Sequence, residues 1–558
     1  MNKFKYSILT AGIAAMGLMT GACADSFLDV SSKTESNTEN FYSTEGDAWR
    51  ALLGCYDGWR QISSSPGVGF YVASTVMSDE CYGATGAADG WGYQAIDGFD
   101  QSKSPSDQNI YEQDWKMYYA GVYRCNELIA HEEQIEWKSE ANHGLYMAEC
   151  RAIRALLYFD MVRLWGNIPL FLEPVSENRE QADPAEVYAA IVSDLKFAAE
   201  NIPQGANRST AENGRITRYA AESMLARVYL FYTGYYGKDL EGLTKAEVVN
   251  YLDDVVANGG YSLVEGFKNL WPAASLVQVP LETQWDPELS TYAGSVNSEF
   301  ILQQKFTPTQ DYNGNQDSNR WQVMMGMRQM NFSPYGKGWG ACTVTPTYYN
   351  KFANTDSRKT ASVINLATEG VTGAAEYKTG YNDWREYTGF SVKKYSPLAF
   401  QILNAQGELT YVSASRPDGS GDFQITNSQD WVIMRYADVL LMVAELGGVP
   451  SKTAQAALDD VRARAGLASV PATLDNVMNE RALELAFEGH RYWDLLRQGI
   501  DKTADAIAAT AGPVKNGGVD ATVNYDRSKI IATKGLSQIP VNQIILSNGV
   551  LHQNAGWE

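Results

Sequence analysis

Apolar residues recur at helical spacing through much of the chain. Within 145–164 the steps between them are four, three, four and three, which places these side chains on one face of a helix: Ala148, Ala152, Ala155, Phe159 and Val162. The same pattern predicts helices at 44–62, 108–136, 184–201, 216–233, 244–257, 432–446, 451–466 and 475–498. Helices in the first half start about 35 residues apart, which is typical of tetratricopeptide-like pairs. We therefore predict a mainly α fold built on a helical array.

Helical periodicity fades in two other parts of the chain. Residues 63–107 are rich in Gly, Ser and Asp, while 260–430 combines Gly, Asn and Thr with many aromatics and short β-prone pieces at 300–302 and 411–412. The abundance of aromatics argues against disorder. The predicted organisation is a scaffold over about 44–258 and 431–510, with a loop-rich, minor-β lobe over about 63–107 and 260–430.

Residues 479–499 read NERALELAFEGHRYWDLLRQG, where charges are threaded between apolar positions. Opposite charges three and four residues apart can pair along a helix. One interpretation is a solvated charged face. The other is a packed helix whose ion pairs hold neighbouring elements, since the planar, always-charged guanidinium of arginine suits such pairs. We predict the second, structural role for Glu484, Glu488, Arg491, Asp494 and Arg497.

This run resembles the C-terminal signature of the SusD/RagB family of outer-membrane nutrient-binding lipoproteins, E-R-x-x-E-L-x-x-E-G-x-R-x-x-D-L-x-R-x-G. Residues 435–445 are similar to another family pattern, with Asp438 at a position that is usually Glu. Residues 165–170, 539–540 and 553–557 resemble further family motifs, with Ala555 and Trp557 as departures. The resemblance covers 23–558 and implies a single SusD-like domain.

The N-terminus has the composition of a secretory signal. Lys3 and Lys5 precede a mostly apolar run over 6–19, which is too short to span a membrane, and small residues then lead to Cys23. We predict a lipoprotein signal peptide over 1–22 and a lipid on Cys23; the alternative is ordinary cleavage with Cys23 as a plain thiol. Residues 24–43 are predicted to run over the surface.

Charge and cysteine content exclude several classes of function. The formal net charge of −21 disfavours nucleic-acid binding, which needs a basic surface. Five further cysteines remain, an odd number, so at least one is free unless it pairs between molecules: Cys55, Cys81, Cys125, Cys150 and Cys342. No zinc-type spacing and no EF-hand loop occurs, so we predict neither metal nor cofactor.

Sequence motifs of catalysis are missing. The four histidines form no HExxH, and neither a G-x-S-x-G elbow nor a P-loop is present. We predict that the protein is not an enzyme. A surface glycosidase stays open as a less favoured alternative, because acidic residues are plentiful.

Aromatic residues beside polar ones in predicted loops indicate a carbohydrate site. A Trp or Tyr ring stacks on the apolar face of a sugar, while acidic and amide groups bind its hydroxyls. Each such Trp has the alternative role of anchoring its own loop. The predicted ligand-binding residues are Trp91, Tyr93, Asp79, Trp285, Trp321, Trp339, Tyr312 and Asn313.

The family resemblance implies the rest of the function. It implies a surface-exposed protein, lipid-anchored in the cell outer membrane, that captures a polysaccharide or oligosaccharide and passes it to a TonB-dependent transporter. A SusD-like binding protein for peptides or another nutrient is the alternative.

Overall fold

The computed structural model describes residues 41–64, 69–90, 92–100, 109–175, 177–276, 290–308, 317–328, 334–369, 383–403, 405–413 and 422–558. The helices of these residues are α1 Glu45–Gln61, α2 Gly69–Val76, α3 Gly92–Asp97, α4 Glu112–Ala130, α5 Glu140–Trp165, α6 Pro184–Asn201, α7 Arg218–Tyr236, α8 Lys245–Asn258, α9 Pro272–Ser275, α10 Arg320–Met325, α11 Pro346–Tyr349, α12 Arg358–Ser362, α13 Tyr436–Leu446, α14 Ala454–Arg464, α15 Leu474–Glu484, α16 Arg491–Leu496, α17 Ile500–Ala508, α18 Arg527–Ala532 and α19 Val541–Leu546. The mainly α class is confirmed.

The long helices form the predicted array. Helix α1 packs on α4 and α5, and α5, α6, α7 and α8 then pack on one another in chain order. Side-chain caps fix where several of them begin. Thr44 and Thr244 each form a capping box with the acidic residue three positions later, which satisfies backbone N–H groups that a helix start leaves free. None of the described helices is long and apolar enough to cross a membrane.

The strands are short. They are β1 Cys81–Gly83, β2 Phe300–Gln304, β3 Met327–Arg328, β4 Lys337–Gly338, β5 Cys342–Val344, β6 Val363–Asn365, β7 Phe390–Val392, β8 Ala399–Leu403, β9 Leu409–Ser413, β10 Trp431–Arg435, β11 Gly448–Val449, β12 Lys452–Thr453, β13 Gly512–Asn516 and β14 Val519–Val523. The largest sheet has the order β1-β5-β7-β6, so it joins the early part of the chain to the middle lobe. The β-prone pieces at 300–302 and 411–412 are confirmed as parts of β2 and β9.

Residues 63–107, predicted as part of the loop-rich lobe, are only partly loop. This stretch holds α2, β1 and α3. Every residue of α2 is buried, so the helix has no polar face and its sequence has no amphipathic period. Its burial is a consequence of packing against α10 and α16, which lie far away in sequence.

Two predicted helices have different bounds in the structure. In the predicted helix 432–446, the first residues form strand β10, because they pair antiparallel with β2, and α13 begins only at Tyr436. The predicted helix 475–498 is divided into α15 and α16. Gly489, between them, has a φ of 81°, a left-handed conformation that interrupts a right-handed helix.

A contiguous core runs through the helical array, from Ala48 of α1 to Trp493 of α16, and continues into the lobe at Trp321 of α10 and Tyr395. Array and lobe therefore share buried surface. The signal peptide predicted for 1–22 and the lipid anchor Cys23 lie outside the described residues.

Candidate functional site

The charged signature of residues 479–499 is buried and paired. Arg435 donates to Glu488 Oε2 (2.8 Å), Glu484 Oε1 (2.6 Å) and Glu299 Oε1 (2.9 Å). Burial pushes the pKa of Glu484 upward, but Arg464, Arg435 and Arg358 outweigh it and hold that pKa well below its usual range. We call this set of pairs the ion-pair lattice; its members are Glu484, Glu488, Arg491, Asp494 and Arg497 with their partners.

The ion-pair lattice also reaches the helical array. Asp438 of α13 accepts hydrogen bonds from Arg481 (2.6 Å) and from Arg227 of α7 (2.5 Å). Arg481 in turn binds Asp494 (2.8 Å). The predicted structural role of these residues is confirmed, since the pairs connect α7, α13, α15 and α16.

Asp79, predicted to bind ligand, faces the interior. Its carboxylate accepts two hydrogen bonds from Arg491, at 2.7 and 3.0 Å, and Lys351 lies 3.4 Å away. The side chain is fully buried. Asp79 is therefore a member of the ion-pair lattice in this structure, and its oxygens are not available to a ligand on the surface.

Glu80, the neighbour of Asp79, is buried, and no arginine of the described residues forms an ion pair with it. Its Oε1 accepts a hydrogen bond from the backbone N–H of Phe487 (2.7 Å), at the break between α15 and α16. Burial raises the pKa of Glu80 to about 8, against the opposing effect of that hydrogen bond. The carboxyl group is thus protonated in most of the molecules at neutral pH.

Trp321, also predicted to bind ligand, lies in the core. It belongs to α10 instead of a loop and is 2% exposed. Its ring packs edge-on against Tyr71 and Trp431, with centroids 4.8 and 5.3 Å apart. Neither ring face is open for stacking on a sugar in this structure. The sequence suggested exposure because the neighbours of Trp321 along the chain are polar, whereas the aromatic residues that cover it are distant in sequence.

The turn directly before Trp91 is exposed but firmly held. Arg385 donates to the carbonyl oxygens of Ala87 (2.8 Å), Asp89 (2.8 Å) and Gly90 (3.0 Å). Arg328 pairs with the Asp89 carboxylate at 2.9 Å. Four further predicted site residues lie outside the described residues: Trp91, Trp285, Tyr312 and Asn313.

Trp339 and Tyr93 are the predicted aromatics that the structure describes near the surface, and both are half-buried. The Arg320 guanidinium lies over the Trp339 ring, 4.9 Å from its centroid. Burial raises the pKa of the Tyr93 hydroxyl above its ordinary value, and the buried Cys342 and Asp114 add to that increase. Arg328 connects the turn before Trp91 to Trp339, because its guanidinium pairs with Asp89 (2.9 Å) and donates to the Trp339 carbonyl oxygen (3.5 Å). We call Trp339, Tyr93, Arg320 and Asp89 the aromatic patch.

Hydrogen bonds to buried residues fix the turn that carries Trp339. The Trp384 indole donates to the Gly340 carbonyl oxygen (2.8 Å), and the Trp339 backbone N–H donates to Val323 of α10 (2.8 Å). Arg320 was not among the predicted site residues. The sequence offered one signal for Arg320: it directly precedes Trp321, and an arginine beside an aromatic residue can bind the hydroxyl groups of a sugar. Only the fold shows that Arg320 stacks on Trp339.

The five cysteines that the structure describes are all free and buried. The sulfur atoms of Cys55, Cys125 and Cys150 lie within 4.8 Å of one another in the core between α1, α4 and α5. They pack there as small apolar side chains. The prediction that at least one thiol is free is confirmed.

Two family models match this chain. The model of the SusD family matches residues 298–557, and one described as starch-binding associating with outer membrane matches residues 67–230. The chain belongs to the SusD family. The resemblance found in residues 479–499 is confirmed.

Individual SusD-like proteins are similar over different lengths. A SusD-like protein of Bacteroides ovatus is 28% identical over 274 residues, which is 46% of each chain, so the match spans about half of that relative. SusD-like protein P38 of Formosa agariphila is 24% identical over 527 residues, covering 89% of this chain and 92% of the relative. The solved structure of a laminarin-binding SusD-like protein is 26% identical, covers 92% of this chain and 99% of its own, and superposes with a TM-score of 0.68.

Proposed function

We propose that this SusD-family protein binds a polysaccharide or oligosaccharide at the cell surface. The observation that carries the proposal is the similarity, over 92% of the chain, to a laminarin-binding SusD-like protein. The charge of −21 fits an uncharged ligand better than an anionic one. Laminarin is therefore the first glycan to test, within a panel of neutral polysaccharides.

The aromatic patch is the proposed binding surface. The Trp339 ring stacks on the apolar face of a sugar residue through the ring face that Arg320 does not cover, and the exposed Asp89 binds hydroxyl groups at the rim of the sugar. The turn held by Arg385 and Arg328 carries Trp91 next to this patch in sequence, and we propose that Trp91 contributes a second ring. A fixed turn favours binding, because little conformational freedom is lost when the ligand arrives.

We further propose that Cys23 carries a lipid that holds the protein in the outer membrane, and that the bound glycan passes to a TonB-dependent transporter. The small residues before Cys23 and the acidic residues after it support the anchor. The family model described as associating with the outer membrane supports the location. A lipid anchor tethers a protein without requiring a spanning helix.

Affinity electrophoresis of the purified protein tests glycan binding. Trp339→Ala removes the stacking ring, so we expect the dissociation constant to rise about tenfold, the equivalent of losing the burial of part of one aromatic ring. Arg320→Ala and Trp91→Ala are expected to weaken retardation in the same direction. Release of reducing sugar is expected to stay at background, because we propose binding without cleavage.

Trp49→Ala is the matched control. Trp49 is also half-buried, and Arg215 lies 4.9 Å from its ring centroid, but both belong to the helical array. Trp49→Ala therefore removes the same kind of arginine–tryptophan contact at a site outside the aromatic patch. The proposed patch is incorrect if Trp49→Ala weakens retardation as much as Trp339→Ala, or if neither Trp339→Ala nor Trp91→Ala changes it.

A further inference from the structure

A groove of about 420 Å³ lies on the helical array. Its floor is α4, which contributes Trp115, Tyr119 and Tyr123; residues 169–179 form one wall and residues 543–551 the other. Phe171 and Leu546 line the groove together with the α4 aromatics, while charged and amide side chains, among them Lys116 and Arg179, complete its lining. It contains none of the residues of the aromatic patch, so it is a separate feature of the surface.

Exposed apolar side chains are concentrated at this groove. Eight large apolar residues are exposed among those the structure describes. Four of the eight line the groove or directly neighbour its lining residues: Tyr123, Leu172, Ile545 and Leu546, which are 43–67% exposed. A cluster of this kind marks an interaction site.

The groove is preformed. The Asn126 side chain donates to the carbonyl oxygens of Phe171 (2.9 Å) and Glu173 (3.3 Å), and the Tyr119 hydroxyl donates to Pro169 (3.0 Å). Asn178 donates to Leu546 (3.4 Å), which joins the two walls. The walls are thus held by polar contacts while their apolar faces stay uncovered.

The described chain begins at one end of the groove floor. Tyr42 stacks on His131, directly after the last residue of α4, with ring centroids 4.3 Å apart, and Phe41 packs edge-on against Tyr42. Burial raises the pKa of the Tyr42 hydroxyl, and Glu127 and the buried thiols of Cys55 and Cys150 add to that increase. Tyr123, eight residues before His131 on α4, lines the groove. The described chain therefore begins at the end of the helix that forms the groove floor.

The segment before Phe41 has the length and composition to cover the groove. Residues 31–40 are polar throughout, whereas Phe27, Leu28 and Val30 are apolar. Ten extended residues span at most about 33–36 Å. The floor from His131 to Trp115 is sixteen residues of helix, or about 24 Å. The polar stretch is thus long enough to deliver the apolar residues to any point of the groove.

We propose that Phe27, Leu28 and Val30 of the same chain dock in this groove, with residues 31–40 as a polar connection along α4. Burial of these side chains against Trp115, Tyr119 and Leu546 supplies the driving force. Docking is a property of the polypeptide and does not depend on the lipid. If Cys23 is lipidated, as proposed above, the docked segment begins only four residues after the lipid. The side of the helical array that carries the groove is then held close to the membrane.

Photo-crosslinking in the full chain tests the docking. A photo-crosslinking amino acid replaces Leu28, and crosslinked peptides are identified by mass spectrometry. We expect crosslinks to peptides that contain residues 115–126, 169–179 or 543–551. The same amino acid in place of Ser36, within the polar connection along α4, is expected to leave the peptides of the two walls, 169–179 and 543–551, unlabelled.

Substitutions in the groove separate specific docking from chance contact. Leu546→Asp is expected to abolish the crosslink from position 28, because it places a charge on the apolar wall. Leu474→Asp, at a Leu 56% exposed at the start of α15, is expected to leave the crosslink intact. Crosslinks outside the groove, to a second protein, or insensitive to Leu546→Asp would overturn the proposal.

Cys23→Ser distinguishes this proposal from that of the lipid anchor. A crosslink that persists in Cys23→Ser supports docking by the polypeptide, whether or not the anchor exists. A crosslink that disappears in Cys23→Ser contradicts docking as stated here. Membrane fractionation of the same variant reports on the anchor separately.

Discussion

Glu484 shows how a residue with an ionisable side chain acquires a purely structural role. It is fully buried and contacts Arg358, Arg435 and Arg464. Three positive charges surround one carboxylate, so its charge cannot be removed without leaving buried guanidinium groups uncompensated. Catalytic carboxylates have perturbed pKa values too, but the pKa of Glu484 is lowered by its buried arginine partners.

Glu484→Gln is expected to lower the free energy of unfolding by about 3–5 kcal/mol, the cost of breaking a buried ion pair on one side. Denaturant titration followed by circular dichroism measures this loss. Glu140→Gln, at a carboxylate that is 91% exposed, serves as the control and is expected to change little. Glycan retention by folded Glu484→Gln stays unchanged if the ion-pair lattice is structural only.

Glu80 predicts a pH dependence of opposite sign to that of the lattice carboxylates. Its pKa rises from 4.5 to about 8 on folding, so between these values the folded state binds more protons than the unfolded state. The free energy of unfolding therefore falls as pH rises through this range, as far as Glu80 contributes.

Glu80→Gln removes that contribution and retains an oxygen for the Phe487 N–H. We expect the stability of Glu80→Gln relative to the wild type to increase as pH rises from about 4.5 to 8. Urea titrations at several pH values measure the difference. A difference that is constant with pH would show that Glu80 titrates normally.

At the scale of elements, the break between α15 and α16 decides where the signature residues point. A continuous helix would keep Glu484 and Glu488 one turn apart on a single face. In the structure Phe487 and Gly489 have positive φ values of 62° and 81°, and Glu488 still meets Arg435 and Lys394. The break also brings the Phe487 N–H to Glu80. The left-handed conformation at Gly489 thus explains why the family signature has a glycine at this position.

Gly489→Ala is expected to destabilise the protein by about 1–3 kcal/mol from the left-handed conformation alone, and further by contact. An added Cβ would lie 2.5 Å from Cδ1 of Tyr71, a buried ring. Thermal unfolding measures the loss.

Gly144→Ala is the matched control for this element. Gly144 lies within α5, and an added Cβ there has no atom within 4 Å. Alanine is the better helix former, so we expect a gain of about 0.5–1 kcal/mol. Equal effects of the two substitutions would contradict the role of the break.

At the scale of the whole molecule, the ion-pair lattice joins segments from the entire described chain. Asp79 comes from the early part, Glu299, Arg358 and Lys394 from the lobe, and the signature from the C-terminal helices. The contiguous core follows the same route. Scaffold and lobe are therefore expected to unfold together, although the sequence assigns them different patterns.

Asp79→Asn tests this coupling, because it leaves Arg491 buried without its full partner. We expect helical far-ultraviolet and aromatic near-ultraviolet circular dichroism to lose their signals in one transition, at a temperature lowered in parallel for both. An early loss of the aromatic signal alone would show that the lobe unfolds by itself. Glycan retention below the transition is expected to match the wild type.

The sequence by itself determined the family, the mainly α class and most long helices. Helical periodicity and capping are local properties of the sequence. The helix that contains Ala148 to Val162 and the cap formed by Thr44 can therefore be predicted without knowledge of the fold. The signature over 479–499 is also local, and its structural role follows from the arginines and carboxylates it contains.

Only the tertiary structure decided which of the predicted site residues face the surface. Asp79 and Arg491 are 412 positions apart, and the cage around Trp321 comes from residues as distant as Tyr71 and Trp431. Polar neighbours in sequence indicate exposure only when no distant segment covers them. Likewise, the stacking of Arg320 on Trp339 and the groove on α4 arise from packing between remote segments, which no pattern along the chain records.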